Sequence, residues 1–448
     1  MRIGQKAISI FTVAFLCASC SIYKEYNRPE NLIPDNLYGE NPDNSLVSIA
    51  DSTGMESLSW RDFFSDPKLQ ALIETGLENN ADLQIAALRV VQAEAGLEVA
   101  KLAYLPNLSL NADWNLNKVS IGPSASWEID FRGDLRNKQR YAQASLEQAE
   151  VYEQSVRTEL IATIAQGYYT LVMLDAQKDI SSRTFENWKE NVRIMKAMKN
   201  AGMANEASVS QTEANCHSIE ASLYDLDNRI LQAENALALV LGTTPTHFER
   251  GKLHKGDLPV ELLAGIPSLL LSRRPDVMSA ELELRKAYYN TCAARSAFYP
   301  SVTLSGSYGW EQALSSPASW VLGLAAGAVQ PIFNKGRNKN NLKIAKAAQE
   351  EALINFRQAI LKAGNEVNSA IAQCNLAGSK TDIRIRQIEA LKRAVESTRQ
   401  LMSHSESTYL EVLTAQQSLL SAQLQQATDH FEAVTGVISL YRALGGGA

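Results

Sequence analysis

Side chains able to do chemistry are sparse in this sequence and poorly spaced for it. The five histidines, His217, His247, His254, His404 and His430, form no HxxxH or HExxH pattern that would set two imidazoles on one helix face to hold a metal. Cys216, Cys292 and Cys374 lie far apart, odd in number and without CxxC spacing. That spacing indicates neither a disulfide framework nor a zinc site and suits small buried helix residues. Met195, Met198 and Met203 invite a soft-metal relay, but helical core packing is the simpler account. No P-loop, GxSxG or nucleophile–base spacing occurs, so the chain is not expected to be an enzyme.

Cys20 has a context the other thiols lack. "MRIGQKAISIFTVAFLCASC" carries Arg2 and Lys6, an apolar run from Ala7 to Cys17, then Ala18 and Ser19 before Cys20. That is an export signal, too short to span a membrane comfortably. Small residues directly before Cys are similar to a bacterial lipobox, although Cys17 stands where Leu is commonest. Residues 1–19 then form a lipoprotein signal peptide, and the lipid on Cys20 is the one covalent group expected. An ordinary secreted chain cut elsewhere is the alternative. Losing two cations takes the net charge from −6 to −8, and no dense Lys/Arg cluster suggests nucleic acid.

These residues sit in two kinds of element. Residues 20–58 are rich in Pro, Asn and Asp without periodicity and read as an arm after the lipid. After Pro106 the helical period gives way to a period of two. Leu108, Leu110, Ala112 and Trp114 oppose Ser109, Asn111, Asp113 and Asn115, and "VSIGPSASWEIDF" alternates likewise. The expected strands are about 106–116 and 119–131, antiparallel with one polar face. From Leu135 to Asn200 no Pro occurs, and about 65 helical residues would reach about 100 Å. "NAGMAN" supplies a turn, with Gly202 suited to a left-handed helix cap.

The pattern then recurs. "ARSAFYPSVTLSGSYGW" echoes "AKLAYLPNLSLNADW", strands are expected at about 301–311 and 319–333, and helix follows from 337 to about 401. Leu353, Phe356, Ile360, Ala363, Val367, Ala370 and Cys374 repeat at 3-4 spacing, a heptad seam that resumes at Ile388 after an expected break near "NLAGSK". The chain reads as mainly α with a β-hairpin pair, internally duplicated as residues 59–245 and 246–448.

Four strands with open edges can pack on helices as a small soluble sheet, or cross a bilayer if copies share a closed barrel. The export signal, the lipid site and aromatic residues near strand ends (Trp114, Trp127, Trp310, Trp320) favour the bilayer. The acidic residues Asp113, Glu128, Asp130 and Glu311 would then line a lumen and favour cations; a plain solvated face is the alternative.

"WRDFFSDPKLQALIETGLENNADLQIAALRV", "SRRPDVMSAELELRKA", "ARSAFYPSVTLSGSYG", "YLEVLTAQQSLLSAQ" and "LYRALGGG" together resemble the TolC-type outer-membrane efflux channels over essentially the whole mature chain. The lipoprotein branch that works with resistance–nodulation–division pumps is the most similar. The resemblance implies a homotrimer in the outer membrane of a Gram-negative bacterium, with a twelve-stranded β-barrel and a long periplasmic α-helical barrel. It implies a passive exit duct for drugs, toxic compounds or metal ions, partnered by a periplasmic adaptor protein and an inner-membrane transporter. It places the periplasmic gate at Leu410, Thr414 and Gln417, where Thr414 and Gln417 replace the family's Asp and Arg. It places adaptor contact at the turns holding Gly202 and Ser405, the latter replacing the usual Gly. The rival within the channel class is the exit duct of an ABC-driven protein secretion system. A coiled-coil lipoprotein that only tethers envelope layers has no use for amphipathic hairpins.

Overall fold

The computed structural model describes residues 25–29, 59–115, 118–251, 274–313, 316–329, 334–403 and 409–446. In chain order they form α1 (Trp60–Phe63), α2 (Pro67–Asn79), α3 (Ala81–Leu102), β1 (Asn107–Asn115), β2 (Lys118–Ile129), α4 (Asp134–Asn200) and α5 (Glu206–Leu241). Then come α6 (Pro275–Ser296), β3 (Ser301–Ala313), β4 (Ser316–Val329), α7 (Arg337–Ser403) and α8 (Tyr409–Ala443). The repeat is explicit in the lengths. Both α4 and α7 have 67 residues, and α7 and α8 begin 203 residues after α4 and α5 (337 against 134, 409 against 206).

The compact units cut across the sequence repeats. One takes residues 1–34, 86–153 and 275–360; the other takes 35–85, 154–274 and 361–448.

The first unit holds a four-stranded antiparallel sheet in the order β1-β2-β3-β4. β2 ends at Ile129, two residues earlier than the alternation suggested, because Asp130 turns to cap the next helix: its carboxylate accepts from the Arg136 backbone at 2.9 Å. β3 runs two residues longer than expected, and β4 begins three residues earlier. Gly122 and Gly309 mark a close approach between β2 and β3. A Cβ on Gly122 would strike the Tyr308 carbonyl oxygen and the Gly309 Cα. In the same unit, residues of the arm lie on the helices. Glu25 pairs with Arg140 at 2.8 Å, Arg28 with Glu281 at 3.6 Å, and the Tyr26 ring meets Tyr288 edge-on at 5.9 Å.

The second unit is helical. Phe63, Phe64 and Tyr441 pack ring against ring, with centroids 5.0–5.5 Å apart, and join Leu69 and Ile73 of α2, Ile161 to Leu174 of α4, Leu237 of α5 and Ile438 of α8 in one core. Burying side chains of this size stabilises by about 1.5–3 kcal/mol each. Asn80 is the joint between α2 and α3: its side chain donates to the Val240 carbonyl at 2.8 Å and accepts from the Leu83 N–H at 3.0 Å.

The helix expected from 337 to about 401 is present, and only the apolar spacing is interrupted near "NLAGSK". α7 is continuous from Arg337 to Ser403, since the stretch has no Pro and its single Gly378 costs only about 1 kcal/mol against Ala. The seam is also unbroken in phase. Between Cys374 and Ile388 its positions are filled by Ala377, Thr381 and Arg384, so polar side chains hide the heptad from a reading of apolar residues.

Candidate functional site

Among the described residues no helix is long and apolar enough to cross a membrane. The sheet has the lengths for it: a tilted transmembrane strand needs about 9–11 residues, and β1 to β4 have 9, 12, 13 and 14. Pairing register sets every apolar row on one side. Leu108–Ala125–Gly306–Leu324, Ala112–Ile121–Trp310–Trp320 and Trp127–Leu304–Ala326 each run across the strands. The other side carries Ser109–Ser124–Ser307–Gly323 and Asp113–Ser120–Glu311–Ser319. Val321, Ala325 and Val329 of β4 and Ala313 of β3 break the polarity of that face.

Among the described residues no layer covers the apolar side: Leu110, Trp114 and Leu324 are 73, 88 and 80 % exposed. An aqueous protein rarely leaves so large a contiguous apolar patch. Among the described residues β1 and β4 each pair on one side only, leaving two open edges. In hydrocarbon such edges must find partners, because each unpaired backbone group costs several kcal/mol.

The acidic residues named from sequence do not form one set. Asp113 and Glu311 share a cross-strand row, separated by Ser120. Glu128 belongs to another row and pairs with Arg132 at 2.9 Å, while Asp130 lies past β2 in its capping role.

The turn between α4 and α5 is fully described. Gly202 takes φ +75°, and two hydrogen bonds close the helix end, from the Gly202 N–H to the Lys199 carbonyl (2.9 Å) and from the Met203 N–H to the Met198 carbonyl (2.8 Å). Asn205 caps α5 by accepting from the Ser208 N–H at 2.8 Å, and ion pairs Lys196–Glu213 and Lys199–Glu206 tie the two arms. Met195 is fully buried and Met203 is exposed, so the methionines near this turn are not one cluster. The companion residue Ser405, like Cys20, lies outside the described residues.

At the start of α8, Leu410 is 66 % exposed. Leu410, Thr414 and Gln417 are spaced four and three apart, which sets them on one face of the helix, and all three are exposed. The Thr414 hydroxyl donates to the Leu410 carbonyl at 2.8 Å, so it is satisfied within its own turn. The adjoining face holds the helix in place: Leu413 and Leu420 pack with Trp188 of α4 and Cys216 and Ile219 of α5.

Sequence reasoning missed a charged knot between α7 and α8. Asp429, whose side chain is 1 % exposed, bonds Arg384 at 2.7 Å and Lys380 at 2.8 Å; Lys380 also reaches Glu432 at 2.7 Å. Burial pushes the Asp429 carboxyl up, but hydrogen bonds from Arg384, Lys380 and Gln425 outweigh it and hold it below the usual range. The signal was present as Arg384 at a seam position. A second knot joins α4, α5 and the loop after α5: Arg250 bonds Asp175 at 2.5 Å and Glu234 at 2.7 Å.

Among the described residues no three His, Cys, Asp or Glu side chains gather to hold a metal. What the arrangement offers is surface, an apolar face for lipid and a polar face for water. The sequence profile of the outer membrane efflux proteins matches residues 72–243 and 266–446, one stretch in each repeat. The chain belongs to that family. Similar members include the cation efflux system protein CusC of Escherichia coli O6:H1, 30 % identical over 98 % of both chains. The probable outer membrane lipoprotein SilC of Salmonella typhimurium is also 30 % identical, over 99 % of this chain and 98 % of its own. A crystal structure of CusC superposes with a TM-score of 0.84 at 29 % identity, covering 96 % of this chain and all of that one. As an outer membrane efflux protein, the chain is a channel component placed in the outer membrane, and efflux is favoured over protein secretion.

Proposed function

We propose that three copies of this chain close a twelve-stranded barrel in the outer membrane, each giving its four strands, and that their long helices form the periplasmic part of the duct. The observation that carries this is the sheet itself, with an apolar face that none of the described residues covers and two edges unpaired among them. Pairing β1 of one copy with β4 of the next satisfies both edges at once, and the Ser-, Asn- and Gly-rich face becomes the lumen, with Asp113 and Glu311 in it. The duct is passive and carries no reaction of its own. Its cargo is drugs, toxic compounds or metal ions delivered by a resistance–nodulation–division transporter through a periplasmic adaptor; the name of CusC, a cation efflux system protein, supports the metal-ion part of this reading. The mature chain begins at a lipidated Cys20, and the tips at Gly202 and Ser405 meet the adaptor.

The test is current through a planar lipid bilayer, measured for the wild type and for Leu410→Ala. Discrete current steps, larger or more frequent in the variant, are expected. Protein that inserts in the bilayer but passes no current in either form would sink the proposal. Photo-crosslinking from Ser405 in cells would name the adaptor.

A further inference from the structure

We infer that the start of α7 is a docking surface for anionic phospholipid headgroups in the periplasmic leaflet of the outer membrane. Lys339, Lys343 and Lys346 are all exposed, and their spacing of four and three sets them along one face of α7. Arg337 and Lys335, just before them, are exposed as well. The chain has no Asp or Glu between Glu311 and Glu350, and none of the five cations has an ion-pair partner among the described residues. The first turn of α7 contains no acid either. Arg337 and Lys339 lie in the first turn, where cations oppose the positive end of the macrodipole, so their placement is unfavourable until an anion is supplied.

The equivalent place in the first repeat is neutralised from within. Arg132 pairs with Glu128 and Asp134, Lys138 with Asp134 and Arg140 with Glu25, at 2.8–3.4 Å. Two copies of one element, each following the second strand of its hairpin, thus differ in this: one brings its own anions and the other does not. β4 ends at Val329, six residues before Lys335, and Lys346 lies nine residues into α7, so the five cations fall within about three helical turns of the helix start that follows the strand. The inference rests on the reading of the sheet as membrane-spanning. Basic side chains beside an anionic leaflet gain roughly fivefold in binding per residue at low salt.

The probe is phosphatidylglycerol against phosphatidylcholine of the same acyl chains, titrated onto the detergent-solubilised full protein and read by native mass spectrometry. The wild type should bind phosphatidylglycerol much the more tightly. The variant Lys339→Gln/Lys343→Gln/Lys346→Gln should lose that preference, by up to about a hundredfold at low salt, with unchanged single-channel conductance. Equal binding of the two lipids by the wild type would overturn the inference while leaving the channel reading intact. So would an unchanged lipid preference in the variant accompanied by a shift in ion selectivity, which would place the lysines in the lumen. Loss of conductance in wild type and variant alike would strike the channel reading instead.

Discussion

Asp429 of α8 and Arg384 of α7 are joined across 2.7 Å at positions where the first repeat carries Leu226 and Ser181. One repeat closes this level of the helix pair with a charge knot, the other with an apolar side chain. Removing one partner of a fully buried pair costs about 3–5 kcal/mol. Here Lys380 is 43 % exposed and Arg384 20 %, so both can turn to water, and Asp429→Ala should cost about 2–3 kcal/mol. The triple substitution Lys380→Gln/Arg384→Ser/Asp429→Leu copies the first repeat and should recover most of that loss. Thermal melting followed by circular dichroism checks both, and a triple variant no better than Asp429→Ala would refute the equivalence.

The same knot gives stability a pH dependence. The Asp429 carboxyl is held below its unfolded value, so its contribution is complete above the ordinary carboxylate range, near pH 4, and fades as pH falls through the lower folded value. Lys380 is raised by its hydrogen bonds to Asp429 and Glu432, so its share is complete below the unfolded lysine range and is lost as pH rises past the folded value. The melting-temperature gap between wild type and Asp429→Asn should be widest near neutrality and narrow at both ends. A gap independent of pH would contradict this.

Much of this was legible in the sequence, and the exceptions have physical causes. Strands and helices announce themselves by period, because Leu108 to Trp114 and Phe356 to Ala370 each place apolar groups on one face. Arg384 and Thr381 hid the middle of the α7 seam, since a periodicity search sees only apolar residues while an ion pair fills the same position. Asp130 continued the alternation of β2 in sequence but is drawn off by the exposed N–H groups of α4. No local pattern could name Asp429 as the partner of Arg384, for the two are brought together only by the packing of α7 on α8.

Gly122 should tolerate no side chain. A Cβ there strikes the backbone of β3, whereas Gly327 in β4 has nothing within 4 Å. Gly122→Ala should sharply reduce the yield of assembled protein in the outer membrane, and Gly327→Ala should leave it near wild type. Semi-denaturing gels of extracted membranes measure both.

Gly202 should accept Asn better than Ala, because φ +75° strains a residue with a Cβ by about 1 kcal/mol, and Asn visits this region more readily. Hydrogen exchange at the Gly202 and Met203 amides reports the effect locally. Faster exchange is expected for Gly202→Ala, and equal exchange in the two variants would count against the strain.

Leu410 should seal the resting duct by packing, since Thr414 already spends its hydroxyl on its own helix and Gln417 carries no charge. Leu410→Ala should raise uptake of a large glycopeptide antibiotic by whole cells severalfold, while Thr414→Val should change it little. Unaltered uptake in Leu410→Ala would remove the gate from this residue.

Closure of the sheet between copies is the central claim, and disulfide trapping tests it most directly. Within one chain β1 and β4 are three strand spacings apart, about 14 Å, beyond the reach of a disulfide, whose Cα atoms stand less than about 7 Å apart. A scan would place one Cys at Ser109, Asn111 or Asp113 of β1 and one at Ser319, Val321 or Gly323 of β4, with Cys216, Cys292 and Cys374 replaced by Ala. The account predicts oxidation products of two and three chains and none larger, confined to pairs that share a single register. Absence of any product between chains, in protein shown to be folded in the membrane, would contradict it.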